Sequence, residues 1–273
     1  MISFMRSSEA VMGDRDLRCL SVRVVPSIAA FDRDEWDACA GDNPFVRHAY
    51  LAALEDSGSA APATGWRAQH LAVFEDGRLQ AAMPLYQKAH SLGEYVFDHA
   101  WAQAYAHAGG RYYPKLLAAV PFTPVAGPRL LVRPGLPFEP YAQALAHAAR
   151  DLVKAQGASS VHINFLSEAE WRLLGQIGYL QRLDYQFHWQ NQGYESFETF
   201  LGHLSSRKRK AIRRERAAVA ASGVRIETLR GREITVDHWD AFFRFYLDTG
   251  SRKWGQPYLN REFFRLIAER LGD

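Results

Sequence analysis

The sequence is poor in cysteine: Cys19 and Cys39 are the only two among 273 residues. Two cysteines without a second pair make neither a disulfide framework nor a zinc site. Such usage fits a reducing, cytoplasmic compartment, and Cys39 reads as a small apolar residue. No apolar run reaches the roughly 18–20 residues needed to span a bilayer. Residues 1–18 are mixed in charge and lack an apolar stretch, so they are no secretory signal. They read as a disordered extension, with Met12 as an alternative start. A P-loop, a dinucleotide-binding glycine fingerprint, a Gly-x-Ser-x-Gly elbow and metal-ligand pairs at helical spacing are all missing. So is the Arg/Gln-x-x-Gly-x-Gly/Ala loop that commonly cradles the pyrophosphate of acetyl-CoA. No metal is expected.

Hydrophobic residues make up 48% of the chain and charged residues 23%, with 7 Trp, 12 Tyr and 16 Phe. That is enough to bury a core and argues against disorder. The net charge of +3 is unevenly spread. Residues 191–273 hold 16 Lys and Arg against 11 Asp and Glu, which leaves 17 against 19 before them. The basic last third points to an anionic partner.

Along the chain, 20–25 reads as a strand, 34–39 as a helix, and Asn43-Pro44 as the cap of a helix to Asp56. Two strands, 66–74 and 79–88, flank Asp76-Gly77, a hairpin signal. Residues 113–120 read as a short helix. Helical spacing of Ala142, Leu145, Ala149 and Leu152 predicts a helix over 138–156 that ends at Gly157. Ser159–Phe165 reads as a strand, and Ser167 with Glu170 as a capping box opening the next helix. Over 182–190, Leu183, Tyr185, Phe187 and Trp189 alternate with polar residues, the pattern of a half-buried strand. Beyond it come helices at 194–204, 205–221, 236–247 and 261–271, and a strand at 224–229. The fold class is therefore α/β with a mixed sheet. A first domain spans 19–192 and a second begins at 193. A second domain with one strand cannot close a sheet, so the chain is expected to be a truncated piece.

Four segments can carry chemistry. The helix 205–221 places Arg207, Arg209, Lys210, Arg213, Arg214 and Arg216 opposite an apolar arc. Arginine forks match phosphate oxygens two at a time, although a charge run also occurs simply as a solvated face. Arg209 and Arg213 are its candidate binding residues. The proline-rich stretch 115–131 is rigid and irregular and offers Lys115, Phe122, Thr123 and Arg129 as substrate contacts. Strand residues His162 and Asn164, and His188 beside Gln186 and Gln190, are candidate hydrogen-bonding groups, with His188 and His162 as candidate catalytic bases. The loop 251–259 interleaves Lys253, Trp254 and Tyr258 around Gly and Pro.

Together Pro121 to Leu131, Gln186 to Asn191, Ser205 to Arg216 and Lys253 to Leu259 resemble a bacterial family of predicted N-acyltransferases, also described as peptidoglycan biosynthesis or recognition proteins. The resemblance runs from Leu20 onwards. That family is similar to the Fem aminoacyltransferases, which carry two GNAT-like domains. Arg209, Ile212 and Arg213 match the Arg-x-x-Ile-Arg core of their basic helix. The resemblance implies a GNAT-like domain at 19–192 followed by an incomplete second one at 193–273. It also implies transfer of an acyl or aminoacyl group to an amine, possible acceptors including a peptidoglycan precursor. The donor would be aminoacyl-tRNA or acyl-CoA, with tRNA held by the basic helix. Members of the family continue past this point with a segment containing Gly, Glu, His and Lys, which reinforces the expectation of truncation and of an inactive fragment. The alternative is a non-catalytic module that grips RNA or a nucleotide-sugar through the same helix.

Overall fold

Asp76 and Gly77 adopt φ of +50° and +79°. Two left-handed residues in a row give a two-residue hairpin whose twist suits the flanking strands. In the computed structural model, which describes residues 3–4, 20–252 and 255–272, this turn joins the central strands of the first sheet. The strands are β1 (Ser3–Phe4), β2 (Leu20–Val25), β3 (Trp66–Ala68), β4 (His70–Glu75), β5 (Arg78–Met83), β6 (Leu85–Lys88), β7 (Lys115–Ala118), β8 (Leu131–Val132) and β9 (Val161–Ile163). One sheet runs β1-β2-β4-β5-β8 with antiparallel pairings throughout. The other runs β3-β6-β7-β9 and closes on a parallel pair, β7 with β9. The two strands expected at 66–74 and 79–88 each break midway and feed both sheets. The breaks fall at Gln69 and at Pro84, whose nitrogen cannot donate to a ladder.

The helices are α1 (Arg33–Ala40), α2 (His48–Asp56), α3 (His99–His107), α4 (Phe138–Gln156), α5 (Glu168–Gln176), α6 (Phe197–Gly202), α7 (Ser206–Ala221), α8 (Val236–Arg252) and α9 (Arg261–Leu271). The expected mixed α/β class holds. Helix α4 spans the predicted residues, Gly157 caps it at φ +61°, and Ser167 with Glu170 forms the capping box of α5. Helix α4 lays Tyr141, Leu145, Ala149 and Leu152 on one side of the sheets, against Leu71, Met83, Leu85 and Leu116. The opposite core gathers Trp36, Leu51, Leu54, Trp66, Tyr86 and Leu117.

Three expectations need correction. Residues 115–118 form strand β7, not a helix. All four of its residues are buried, and a short apolar run buried on both faces lacks the alternation that distinguishes strand from helix. Residues 182–190 alternate as predicted but form no strand, and Leu183, Tyr185 and Phe187 are 80%, 94% and 99% exposed. Residues 224–229 likewise lie outside any ladder. A strand needs a neighbour, and among the described residues neither segment has one.

The chain divides into two compact units, Met1–Gln181 with Gly231–Asp273, and Arg182–Arg230. This division differs from the boundary expected at 192–193. Helices α8 and α9 belong with the first unit because Phe263, Phe264 and Leu266 complete its core. A short internal repeat accompanies that packing. Asp237-His238-Trp239-Asp240-Ala241 echoes Asp34-Glu35-Trp36-Asp37-Ala38, and Pro257-Tyr258-Leu259 echoes Pro44-Phe45-Val46. On this alignment Phe263 corresponds to Tyr50, and the two rings meet edge to face at 5.9 Å. The counterpart helices α2 and α9 thus pack on each other. The expectations for Cys19, Lys253 and Trp254, and most of that for the N-terminal extension, lie outside the described residues.

Phe264 touches the rings of Trp239, Phe242, Phe243, Tyr246 and Phe263. Phe264→Ala is expected to destabilise the first unit by about 3–5 kcal/mol. A urea titration of the whole chain tests this; an unchanged transition would mean that α8 and α9 are a dispensable appendage.

Candidate functional site

Strand register builds the site. Trp66 on β3 pairs with Lys88 on β6, and Lys88 pairs with Lys115 on β7. Cross-strand partners project from the same face, so two lysines stand side by side in the sheet with an indole flanking them. Both lysines are fully buried. Adjacent like charges out of water are costly unless opposite charges join them. The excursion between β6 and β7 supplies those charges. Lys115 Nζ donates to Ser91 Oγ (2.9 Å), Glu94 Oε2 (2.8 Å) and Asp98 Oδ2 (2.5 Å). An ammonium has three protons, and here all three have acceptors. Tyr112 adds a hydrogen bond to Asp98 Oδ2 at 2.7 Å.

This arrangement sets the protonation states. Burial works to raise the Asp98 pKa, but hydrogen bonds from Lys115, Ser91 and Tyr112 outweigh it and hold the carboxyl at about 2. Burial raises the Glu94 pKa, and Lys115 offsets this only in part. Among the described residues no carboxylate bonds to Lys88. Its Nζ donates to Leu92 O at 3.3 Å and lies 3.5 Å from the centroid of the Trp66 ring. Burial lowers its pKa; Glu94 opposes this and Lys115 adds to it, leaving the amine at about 7. The ring face favours the charged form and works against burial.

An aromatic wall adjoins the lysine row. Phe122 stacks on Tyr258 at 5.1 Å and meets the Trp66 ring edge at 5.2 Å. Its backbone takes φ +60° and its N–H donates to Gly93 O. Gly93 has to be glycine, since a Cβ there would sit 2.5 Å from the Phe122 ring. Thr123 Oγ1 shares a hydrogen bond with Tyr50 OH (2.9 Å), and Tyr246 OH accepts from the N–H groups of Tyr258 and Leu259. Lys115, Phe122 and Thr123, chosen from one stretch of sequence, and Tyr258, chosen from another, therefore converge here. Lys88, Glu94 and Asp98 were missed. Their signal is the tertiary pairing of β6 with β7, which the misread of 113–120 as a helix concealed.

Arg129 lies beside Asn164 and serves the backbone. Arg129 donates through Nε to Asn164 O (3.0 Å), through Nη1 to Pro128 O (3.0 Å) and through Nη2 to Val125 O (2.7 Å). Burial lowers its pKa to about 10, with Glu170 opposing. Glu170 Oε1 also accepts the N–H groups of Arg129 and Leu130. Together they splint the proline-rich loop. His162 Nε2 is 3.0 Å from Ser160 Oγ, and its ring meets that of Tyr112 edge to face.

In the unit Arg182–Arg230, His188 is exposed and its Nε2 lies 2.9 Å from Gln186 Oε1. Helix α7 opens at Ser205, whose hydroxyl caps Lys208 N. Three arginines at i, i+4 and i+7 face α6. Arg209 donates to Gly202 O, Arg213 pairs with Glu198 at 2.5 Å, and Arg216 covers the Phe197 ring at 4.4 Å. Arg207, Lys208, Lys210 and Arg214 are exposed and form no ion pair among the described residues. Arg209 and Arg213, the two singled out from sequence, are thus in contact with α6. No group of three or more His, Cys, Asp or Glu could hold a metal among the described residues.

A sequence profile of FemAB-like proteins, described as peptidoglycan biosynthesis/recognition, matches residues 27–273. The chain belongs to the FemAB-like family. No curated protein matches the sequence significantly. Among solved structures, a Trypanosoma brucei acetyltransferase covers 63% of this chain and 99% of its own, at 13% identity and a TM-score of 0.33. That likeness is too slight to carry an argument. No helix of the described residues is long and apolar enough to cross a membrane.

Lys115→Met leaves Glu94 and Asp98 buried without their cation. A loss of about 3–5 kcal/mol is expected, and adding Glu94→Gln and Asp98→Asn should restore part of it; chemical denaturation of the three variants measures both. Lys88 gives a pH signature. Between pH 7 and 10.5 the unfolded lysine holds a proton that the folded one has lost. Stability should therefore rise with pH across that window, by up to about 1.4 kcal/mol per unit, and Lys88→Met should flatten the rise.

Proposed function

We propose that this chain transfers an acyl or aminoacyl group to an amine, the acceptor being an amine of a peptidoglycan precursor. The observation that carries the reading is membership of the FemAB-like family across residues 27–273. The donor is aminoacyl-tRNA or acyl-CoA, and the reaction is cytoplasmic, where such donors are made. A GNAT-like architecture belongs to the same reading, with one domain at 19–192 and a second from 193. The echo of α1 and α2 in α8 and α9 supports duplication. Acyl transfer to an amine draws much of its rate from positioning, so a strong catalytic motif is not required. His162, in the strand beside Lys115, remains a candidate base, as does His188 in the other unit.

Mass spectrometry of the acceptor after incubation with each donor tests the reading. An acylated amine is the expected product; no mass gain with any donor would overturn it.

A second reading has an observation of its own: the exposed cations Arg207, Lys208, Lys210 and Arg214 on α7. They suit a polyphosphate and need no catalysis, which makes the chain a module that grips RNA or a nucleotide-sugar. Each phosphate neutralised adds about 0.9 to the slope of log affinity against log salt. Arg207→Glu with Arg214→Glu is expected to weaken tRNA binding at least tenfold and to reduce that slope by about 2. Equal binding by the variant and the unaltered chain across a salt series would mean that α7 is merely solvated.

A further inference from the structure

We propose that Lys88 is the acid–base group of the transfer, its amine taking the proton from the acceptor ammonium. The inference rests on the acyl-transfer reading. Its basis is the inequality of two neighbouring lysines. Lys115 has three acceptors for its three protons and is held in place by the excursion it binds. Lys88, one strand away, has among the described residues a single long hydrogen bond, to the carbonyl of Leu92. One is structural, and the other is left with chemistry to do.

The surroundings of Lys88 support the role. Its hydrogen-bond partner is the carbonyl of Leu92, a residue 53% exposed. Glu94 acts on it electrostatically, and Glu94 Oε1 is buried without a hydrogen-bond partner among the described residues. That oxygen is an acceptor for an incoming ammonium. Trp66 Nε1, on the ring beneath the amine, is a buried donor likewise without an acceptor, suited to an acyl carbonyl oxygen. The charged and titratable groups around Lys88 are Glu94 on the excursion, Lys115 on β7 and His90 just after β6. A base is most effective when it titrates near the working pH.

An N–H bond of the acceptor ammonium breaks and its proton passes to Lys88 Nζ. The freed lone pair attacks the acyl carbonyl, and a C–N bond forms. The bond from carbonyl carbon to the thioester sulfur or ester oxygen then breaks. Lys88 returns its proton to the departing thiolate or alkoxide. The remaining extra proton on the new amide nitrogen leaves to solvent.

Trace labelling with acetic anhydride across pH, mapped by peptide mass spectrometry, tests the amine without needing substrate. Lys88 is expected to label with a midpoint near pH 7, well below that of a free lysine side chain labelled alongside as the reference. A midpoint like that of the reference amine, or no labelling of the folded chain up to pH 9, overturns the proposal. In turnover, Lys88→Met should lower kcat at least a hundredfold with little change in acceptor KM, and should abolish the limb of the pH–rate profile near 7. A folded Lys88→Met or Lys88→Arg variant that keeps that limb also overturns it. Labelling near pH 7 with no turnover in the unaltered chain would overturn the acyl-transfer reading and, through it, the role given to Lys88.

Discussion

The ammonium of Lys115 holds the first unit's polar interior together. It lies in a sheet, wholly out of water, and a cation in that position survives only if every proton is bonded and its charge is matched. Ser91, Glu94 and Asp98 do both. They sit on one excursion of the chain, so the same three bonds that satisfy the lysine also hold residues 91–98 over the sheet. Helix α3 follows and buries none of its residues. Its position depends on the ion pairs at its start and not on a core of its own.

The neighbour relation between Lys88 and Lys115 then separates two amines of identical chemistry. Lys115 owns the carboxylates, and Lys88 has the ring face of Trp66 and one carbonyl. Burial and an adjacent cation lower the Lys88 pKa, while the same cation, with hydrogen bonds, keeps Asp98 ionised. Groups pushed in opposite directions within one small region are characteristic of sites that move protons, although structural ion networks produce them too. Phe122, held at a positive φ against Gly93, carries the aromatic wall to the edge of this region.

Arginines show a similar division of labour. Arg129 spends all three of its nitrogens on carbonyls and rigidifies a loop with three prolines. On α7, Arg209, Arg213 and Arg216 bind α6. What a cation can offer a ligand is decided by what its own fold already takes from it, and that leaves Arg207, Lys208, Lys210 and Arg214 as the free set.

Much of this was legible in the sequence, since local rules act over a few residues. The Asp76-Gly77 hairpin, the helix 138–156 with its Gly157 stop and the Ser167–Glu170 box all depend on neighbours within a turn. The gathering of Lys115, Phe122, Thr123 and Tyr258 was legible only as a set of suspects. Strand β7 was misread because a short apolar run has no periodicity to betray it, and the alternation at 182–190 promised a partner strand that the described residues do not supply. The sequence by itself determined the α/β class, the family and the cationic character of α7, because these follow from local pattern and composition. Tertiary structure alone decided which lysine is pinned and which is free, which arginines remain exposed, and that α9 lies on α2. Those outcomes depend on strand register and helix packing, which join residues far apart in the chain and leave no trace in local spacing.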